Sequence, residues 1–361
     1  MVRVTQIRLI DRMILVGPPG IGKTEVIRRL AEEEARELGK EFVDLREASD
    51  ETMVKIMASP ERYYVFIRVV APHLFPEDLG VPQKTDRYVE FIPPKALKIL
   101  SLPSVHGVLF IDELTNVQRD DQISMYFSLI LEKEAGFQLR LSKNIKVVCV
   151  GNPPEWSEIV RPMPKPLRNR MAIVEVSPPT VDEWVRYMNA RFGDRWEKLA
   201  IAYLKAFPGD FIKAPADDYS AFPTPRSWTQ LAALLHELRG SDGEFLEELI
   251  VGCLGKEVGT KFAALLKTKV DVGAAVEELR RRPEAFASYD INTKVLVAYA
   301  LAQRSVDELK SLEGFLAWMN ENEREFLTLT LLMMDRGRRA ALLGAMPTLF
   351  RELVAKVAEY I

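Results

Sequence analysis

The sequence predicts an α/β domain built on a parallel sheet, followed by a long region made of helices. Three observations carry this. Up to residue 176, short apolar runs of strand type alternate with stretches of helical pattern, the signature of strands joined by helical crossovers. The first core run, Met13-Ile14-Leu15-Val16, passes through the glycine-rich turn Gly17-Pro18-Pro19-Gly20-Ile21-Gly22-Lys23-Thr24 into a helical pattern over 25 to 38. After Pro178-Pro179 the texture changes to helices only.

Residues 1 to 12 alternate charged and apolar side chains, as a short strand or arm does. The helix after the turn is rich in Glu, Arg, Ala and Leu and ends near Gly39, a good residue for a left-handed stop. Phe42 to Leu45 is a short strand, residues 50 to 58 a short helix stopped by Pro60, and Tyr63 to Val70 a buried strand interrupted only by Arg68. From Pro72 to Pro94 there are five prolines, several charges and one island, Asp86 to Ile92, which reads as one arm of a hairpin on an inserted loop. A short helix at 95 to 101 leads into Val108-Leu109-Phe110-Ile111, a continuous apolar strand that ends in Asp112-Glu113.

A long helix is expected next, with Ile123, Phe127, Ile130 and Glu134 near one helical line and Gly136 as its end. Phe137 to Leu141 alternates strictly, as a half-exposed strand does. Ile145 to Val150 is another buried strand, closing at Gly151-Asn152-Pro153-Pro154, and Ala172 to Val176 is the last. Beyond it, Thr180 to Glu183 and Ser305 to Glu308 have the spacing of capping boxes. Thr224-Pro225 places a cap before a proline at the first helical position. Trp228, Leu231, Leu235 and Leu238 then share one face, Gly240 to Gly243 is a break, and 244 to 361 is helical in pattern.

Of the 361 residues 48% are hydrophobic, enough for a sizeable core, and the net charge of −3 gives no global basic excess of the kind nucleic acid selects. Two cysteines, Cys149 and Cys253, form neither a disulfide framework nor a zinc spacing, and His73, His106 and His236 are too scattered for a metal cluster. Cys149 falls inside an apolar strand and reads as a small buried hydrophobe. There is no signal-peptide core and no apolar run of membrane-spanning length, so a soluble, cytoplasmic protein is expected.

The chemistry is concentrated at the ends of the strands. Gly17 to Thr24 has two glycines four residues apart, then Lys and Thr, between a strand and a helix. In that context backbone N–H groups and the helix N-terminus cradle phosphate oxygens. Lys23 would reach the β- and γ-phosphates and the Thr24 hydroxyl would hold Mg²⁺. Asp112 would orient the metal through its water shell, and Glu113 would align and deprotonate an attacking water. Asn152, at the end of a neighbouring strand, offers a neutral amide to the water or the γ-phosphate. Arg226 opens a helix, where its charge opposes the macrodipole unless an anion is bound. Arg168 and Arg170 precede the last strand, placed to enter a neighbour's site.

These parts and their order resemble the AAA+ ATPases, and more narrowly their MoxR-like, dynein-related branch, over about residues 10 to 240. GPPGIGKT looks like the Walker A motif, VLFIDELTN (108 to 116) like Walker B with a catalytic Glu, and VVCVGNPPEW (147 to 156) like sensor 1. FPTPRSW (222 to 228) is similar to the sensor 2 helix, and Asn169-Arg170-Met171 stands where the family has its arginine finger. Met171 replaces the usual Phe there, so Arg168 stays open beside Arg170. Residues 76 to 94 look like the branch's insert in the second helix, and 136 to 150 like its hairpin before sensor 1.

The resemblance implies a phosphate-loop fold with a five-stranded parallel sheet over 1–177, with the insert at about 72–94. It further implies a helical lid carrying sensor 2 over 178–240. Residues 241–361 match no motif and read as a packed helical extension. It implies ATP and Mg²⁺ as ligands, a hexameric ring with nucleotide between protomers, and a chaperone-like ATPase that remodels or matures a protein client or a partner with a von Willebrand A domain. Two rivals stand beside it. One is a nucleic-acid-directed motor or regulator, for which Arg280, Arg281, Arg282, Arg336, Arg338 and Arg339 speak, although acidic residues surround them. The other is a non-hydrolysing nucleotide switch or scaffold, against which Glu113 argues.

Overall fold

Strands that are apolar on both faces need cover on both sides, and the first part of the chain provides it. The computed structural model describes residues 1–136, 139–156, 162–215, 217, 219–238, 243–268 and 272–358. Phe137 and Gln138 of the alternating run, the break at Gly240 and the last three residues of the helical tail lie outside these. Two compact units emerge, Met1–Pro178 and Pro179–Ile361.

The first unit is built on seven parallel strands: β1 (Val2–Arg3), β2 (Met13–Val16), β3 (Glu41–Asp44), β4 (Tyr63–Val70), β7 (His106–Asp112), β10 (Ile145–Gly151) and β11 (Ala172–Ser177). Their order across the sheet is β1-β11-β2-β10-β7-β4-β3. The central register sets Ile14 of β2 opposite Cys149 of β10, and Cys149 opposite Ile111 of β7. The resemblance implied five strands; the difference lies at the two edges, where β1 and β3 are added. β3 is held by packing as well as by its ladder: Phe42 meets Phe66 of β4, which meets Phe110 of β7, with ring centroids 6.0 and 6.1 Å apart. Both added strands are short, which limits the unpaired edge they expose.

Helix α1 (Lys23–Glu37) buries Val26, Ile27, Ala31 and Ala35, one stripe at helical spacing, and stops before Gly39 at φ +64°. Helix α2 (Asp50–Ala58) is capped by Ser49, whose hydroxyl accepts the Thr52 N–H at 3.1 Å. The inserted loop carries the antiparallel hairpin β5 (Val81–Lys84) and β6 (Val89–Ile92), with every strand residue exposed. It is followed by α3 (Lys95–Leu100).

The long helix expected after Glu113 is shorter and breaks differently. A single turn at Leu114–Asn116 precedes α4 (Asp120–Phe127), which continues as a π-helical stretch, Ser128–Glu132. Lys133 then takes a left-handed conformation (φ +57°) and ends the run before Gly136. The Lys133 ammonium is anchored on the Ile145 carbonyl at 2.6 Å and on Asp11 at 2.9 Å. Glu134 therefore lies in a strand: β8 (Glu134–Ala135) pairs antiparallel with β9 (Leu139–Arg140). Helix α5 (Lys165–Arg170) leads into β11.

The second unit is helical. In α6 (Val181–Phe192) Thr180 and Glu183 form the reciprocal cap that their spacing predicts, at 3.2 and 2.8 Å. Helix α7 (Leu199–Ala206) is buried on nearly every side, and α8 (Pro225–Glu237) starts at Thr224, whose hydroxyl accepts the Ser227 N–H. One continuous core runs from Trp184 to Leu353. At its centre the rings of Trp228 and Tyr203 each meet Phe262 edge-on with centroids 5.2 Å apart.

The tightest approach in the sheet is at Gly107, where a Cβ would lie 2.0 Å from the Val65 carbonyl oxygen of β4. Gly107→Ala is therefore expected to push β7 and β4 apart and cost about 1–3 kcal/mol of stability, read as a lower midpoint in urea denaturation.

Candidate functional site

The strand β2 ends at a turn only glycine can make cheaply. Gly20 and Gly22 have φ of +72° and +90°, a region L side chains avoid. Gly17 is needed for a different reason. A Cβ there would lie 2.4 Å from the Val176 carbonyl oxygen at the end of β11. The loop is thus pressed against the neighbouring strand, and Gly22 caps α1 with no side chain between the helix N-terminus and the loop.

Lys23, the first residue of α1, is 7% exposed, and its ammonium turns back into the loop. It donates to the Gly17 carbonyl at 2.6 Å, the Pro18 carbonyl at 2.7 Å and Asn152 Oδ1 at 3.1 Å. Asn152 follows β10, which lies beside β2 in the sheet, so parallel pairing alone brings the amide to the loop. Its backbone is fixed from the other side by Thr115: the Asn152 N–H donates to Thr115 Oγ1 at 3.0 Å, and that hydroxyl faces the Asn152 carbonyl at 3.3 Å.

Asp112 closes β7 and is 6% exposed. Its Oδ1 accepts the Glu113 N–H at 3.0 Å. Its Oδ2 accepts the Thr24 hydroxyl at 3.3 Å and the Arg68 guanidinium, through Nε at 2.9 Å and Nη2 at 2.7 Å. Glu113 has left-handed backbone geometry (φ +58°, ψ +34°), uncommon for a residue with a side chain. Its carboxylate accepts Asn116 Nδ2 at 3.3 Å, while Asn116 Oδ1 is buried with no partner among the described residues. Cys149, one strand over from Asp112, is wholly buried, which pushes its thiol pKa well up and leaves it chemically quiet.

Gly17 to Thr24, Asp112, Glu113 and Asn152, picked out in the sequence, thus sit on adjacent C-terminal strand ends of one sheet, where ligands of α/β sheets bind. Arg168 and Arg170 lie on α5 of the same unit and are exposed; Arg170 faces Glu132 at 3.6 Å. Arg226 is exposed in the first turn of α8, in the second unit. Three contacting residues had no role assigned from sequence. Arg68 shows there only as the single charge in an apolar strand, and Thr115 and Asn116 close the VLFIDELTN stretch without a role of their own.

A hydroxyl and a carboxylate side by side form a hard oxygen donor set of the kind Mg²⁺ takes. A buried ammonium directed at a positive-φ glycine loop on a helix N-terminus suits phosphate oxygens. The fold and this arrangement define a phosphate-loop nucleotide-binding domain. Residues 13–178, just under half of the chain, match the family model AAA, "ATPase family associated with various cellular activities"; this stretch is an AAA-family domain. No curated protein matches the chain.

Solved structures similar to it include NtrX from Brucella abortus in complex with ADP (16% identity, 94% of this chain and 64% of that one, TM-score 0.37). A putative ATPase from Cytophaga hutchinsonii is also similar (14% identity, 70% and 75%, TM-score 0.30), as is Hsp104 with ATPγS and casein (14%, 77% and 43%, TM-score 0.38). The chain spans less than two thirds of the length of that NtrX chain.

Thr115 ties the turn after Glu113 to the backbone of Asn152. Thr115→Val is expected to lower stability by about 1–2 kcal/mol and to speed hydrogen exchange at the Asn152 amide, followed by NMR.

Proposed function

We propose that the chain is an ATP-hydrolysing AAA+ ring ATPase of MoxR-like type that remodels, activates or matures a partner protein. The observation that carries the ATPase reading is the convergence of Lys23, Thr24, Asp112 and Asn152 on the glycine loop. In this reading the loop amides and Lys23 grip the β- and γ-phosphates of ATP, exchanging the Gly17 and Pro18 carbonyls for phosphate oxygens. Thr24 and Asp112 hold Mg²⁺, which would neutralise phosphate charge. Glu113 takes the proton of the attacking water, leaving the Asn116 amide, and Asn152 orients that water. Arg226 contacts phosphate in cis, and Arg170, with Arg168 as the alternative, reaches the nucleotide of the next protomer in a hexameric ring. The exposure of both on one short helix supports a role between protomers.

The same proposal treats 1–177 as the nucleotide-binding domain, 178–240 as a lid and 241–361 as a helical platform for a protein client or a von Willebrand A domain partner. A cytoplasmic location goes with it, since ATP is found there; among the described residues no helix is long and apolar enough to cross a membrane. Part of the charge in the basic runs that a nucleic-acid partner would use is already engaged or covered. Arg280 pairs with Glu277 at 3.2 Å, Arg282 with Glu284 at 3.6 Å, and Arg339 is 5% exposed.

Calorimetry with ATP tests the binding step: Lys23→Ala is expected to lose at least tenfold in affinity, roughly the worth of one charge-assisted contact, and an unchanged isotherm would sink the reading. Glu113→Gln is expected to bind ATP as wild type does while turnover falls about 10²–10⁴-fold, the usual contribution of a general base. Equal turnover of the two proteins would favour a nucleotide switch instead. Arg170→Ala is expected to abolish turnover and leave binding intact; survival of activity in both Arg168→Ala and Arg170→Ala would remove the in-trans assignment. Added DNA is expected to leave the ATPase rate unchanged.

A further inference from the structure

We propose that Arg68 is a built-in counter-cation for Asp112 that competes with the divalent metal, and so sets how much Mg²⁺ the site requires. The inference rests on the reading of Asp112 as the metal carboxylate and adds a residue to it. Arg68 is the only charged residue of the eight-residue strand β4. In register it lies opposite Phe110 of β7, two residues before Asp112 and on the same face of the sheet. Its side chain spans that offset and places two N–H donors on one carboxylate oxygen, Oδ2, at 2.9 and 2.7 Å. This is the oxygen that also takes the Thr24 hydroxyl, the other proposed metal ligand. The remaining oxygen, Oδ1, is engaged by the Glu113 N–H.

A cation that draws on Asp112, directly or through its water shell, therefore meets a guanidinium already on Oδ2. Either the two positive charges share the carboxylate and repel, or Arg68 swings away. The second is open to it because the Arg68 side chain is 37% exposed, against 8% for Asp112. Both routes have the same sign. Whatever Arg68 contributes to Asp112 is subtracted from what the metal gains, because the two ligands of one carboxylate are thermodynamically linked. Removing the guanidinium leaves a buried carboxylate short of a counter-charge and makes the metal more welcome.

The test titrates Mg²⁺ into full-length protein holding a fluorescent ADP analogue and reads the midpoint of the fluorescence change. Arg68→Gln is expected to lower the Mg²⁺ midpoint about tenfold, within the usual range of coupling between linked sites, whereas Arg68→Lys, which keeps the charge, is expected to stay within about threefold of wild type. A merely structural role would not give this split. Thermal melting shows that each variant is folded, and Arg68→Met replaces Arg68→Gln under the same criteria if the latter is not. An unchanged or raised midpoint in the folded neutral variant overturns the inference, the raised one by showing that Arg68 holds Asp112 in its ligating pose. If wild type binds the analogue with no Mg²⁺ dependence, the metal-carboxylate reading itself falls, and Arg68 with it.

Discussion

A carboxylate cannot sit at the end of an apolar strand, nine-tenths buried, without donors around it, and the geometry of this site follows from where those donors come from. Asp112 draws one from the next residue, Glu113, one from α1 at Thr24 and a pair from β4 at Arg68. Two separate segments, α1 and β4, are thereby pinned to the end of β7. An uncompensated charge in that position would cost several kcal/mol, so the acid works as a structural keystone as well as a candidate ligand. The same arrangement ties the first turn of α1 to the end of β7: its second residue, Thr24, is bonded to the keystone.

A parallel account holds one strand away. The Lys23 ammonium is as buried as Asp112 and is satisfied by carbonyls of its own loop and by the Asn152 amide. Thr115 then carries the connection from Asn152 back to the turn that follows Glu113. The acidic end and the basic end of the site are joined through neutral polar groups, so neither can shift without disturbing the other. Glu113 bears the local cost. Left-handed geometry at a residue with a side chain is worth on the order of 1–3 kcal/mol of strain, and its carboxylate is held by a neighbouring amide with an orphaned oxygen.

Much of this was readable in the sequence because the signals were local. Apolar runs fixed the strands, Gly39 ended α1, and the capping boxes at Thr180 and Ser305 started helices where their spacing says. The placing of Gly17 to Thr24 in a turn and of Asp112 and Asn152 at strand ends was legible because turn chemistry and strand ends are written in short stretches. What was not legible depends on pairing across the sheet. Arg68 looks like an interruption until β4 lies beside β7. The edge strand β3 was legible as the apolar run Phe42 to Leu45, and β1 as part of an alternating arm, but that both join the sheet at its edges was not. The helix after Glu113 carries its periodicity through Glu134, but Lys133 is drawn off by Asp11 and the Ile145 carbonyl, and a tertiary contact outweighs the local pattern.

The two thiols differ in a way that is useful at the bench. Cys149 is sealed between Ile14 and Ile111 in the middle of the sheet, whereas Cys253, in the helix Gly243–Leu254 of the second unit, is only half covered. A maleimide dye offered to the folded native chain thus has one address. A single engineered cysteine on the exposed hairpin of the first unit would supply the second, giving a donor–acceptor pair that spans the two units with no background labelling to remove.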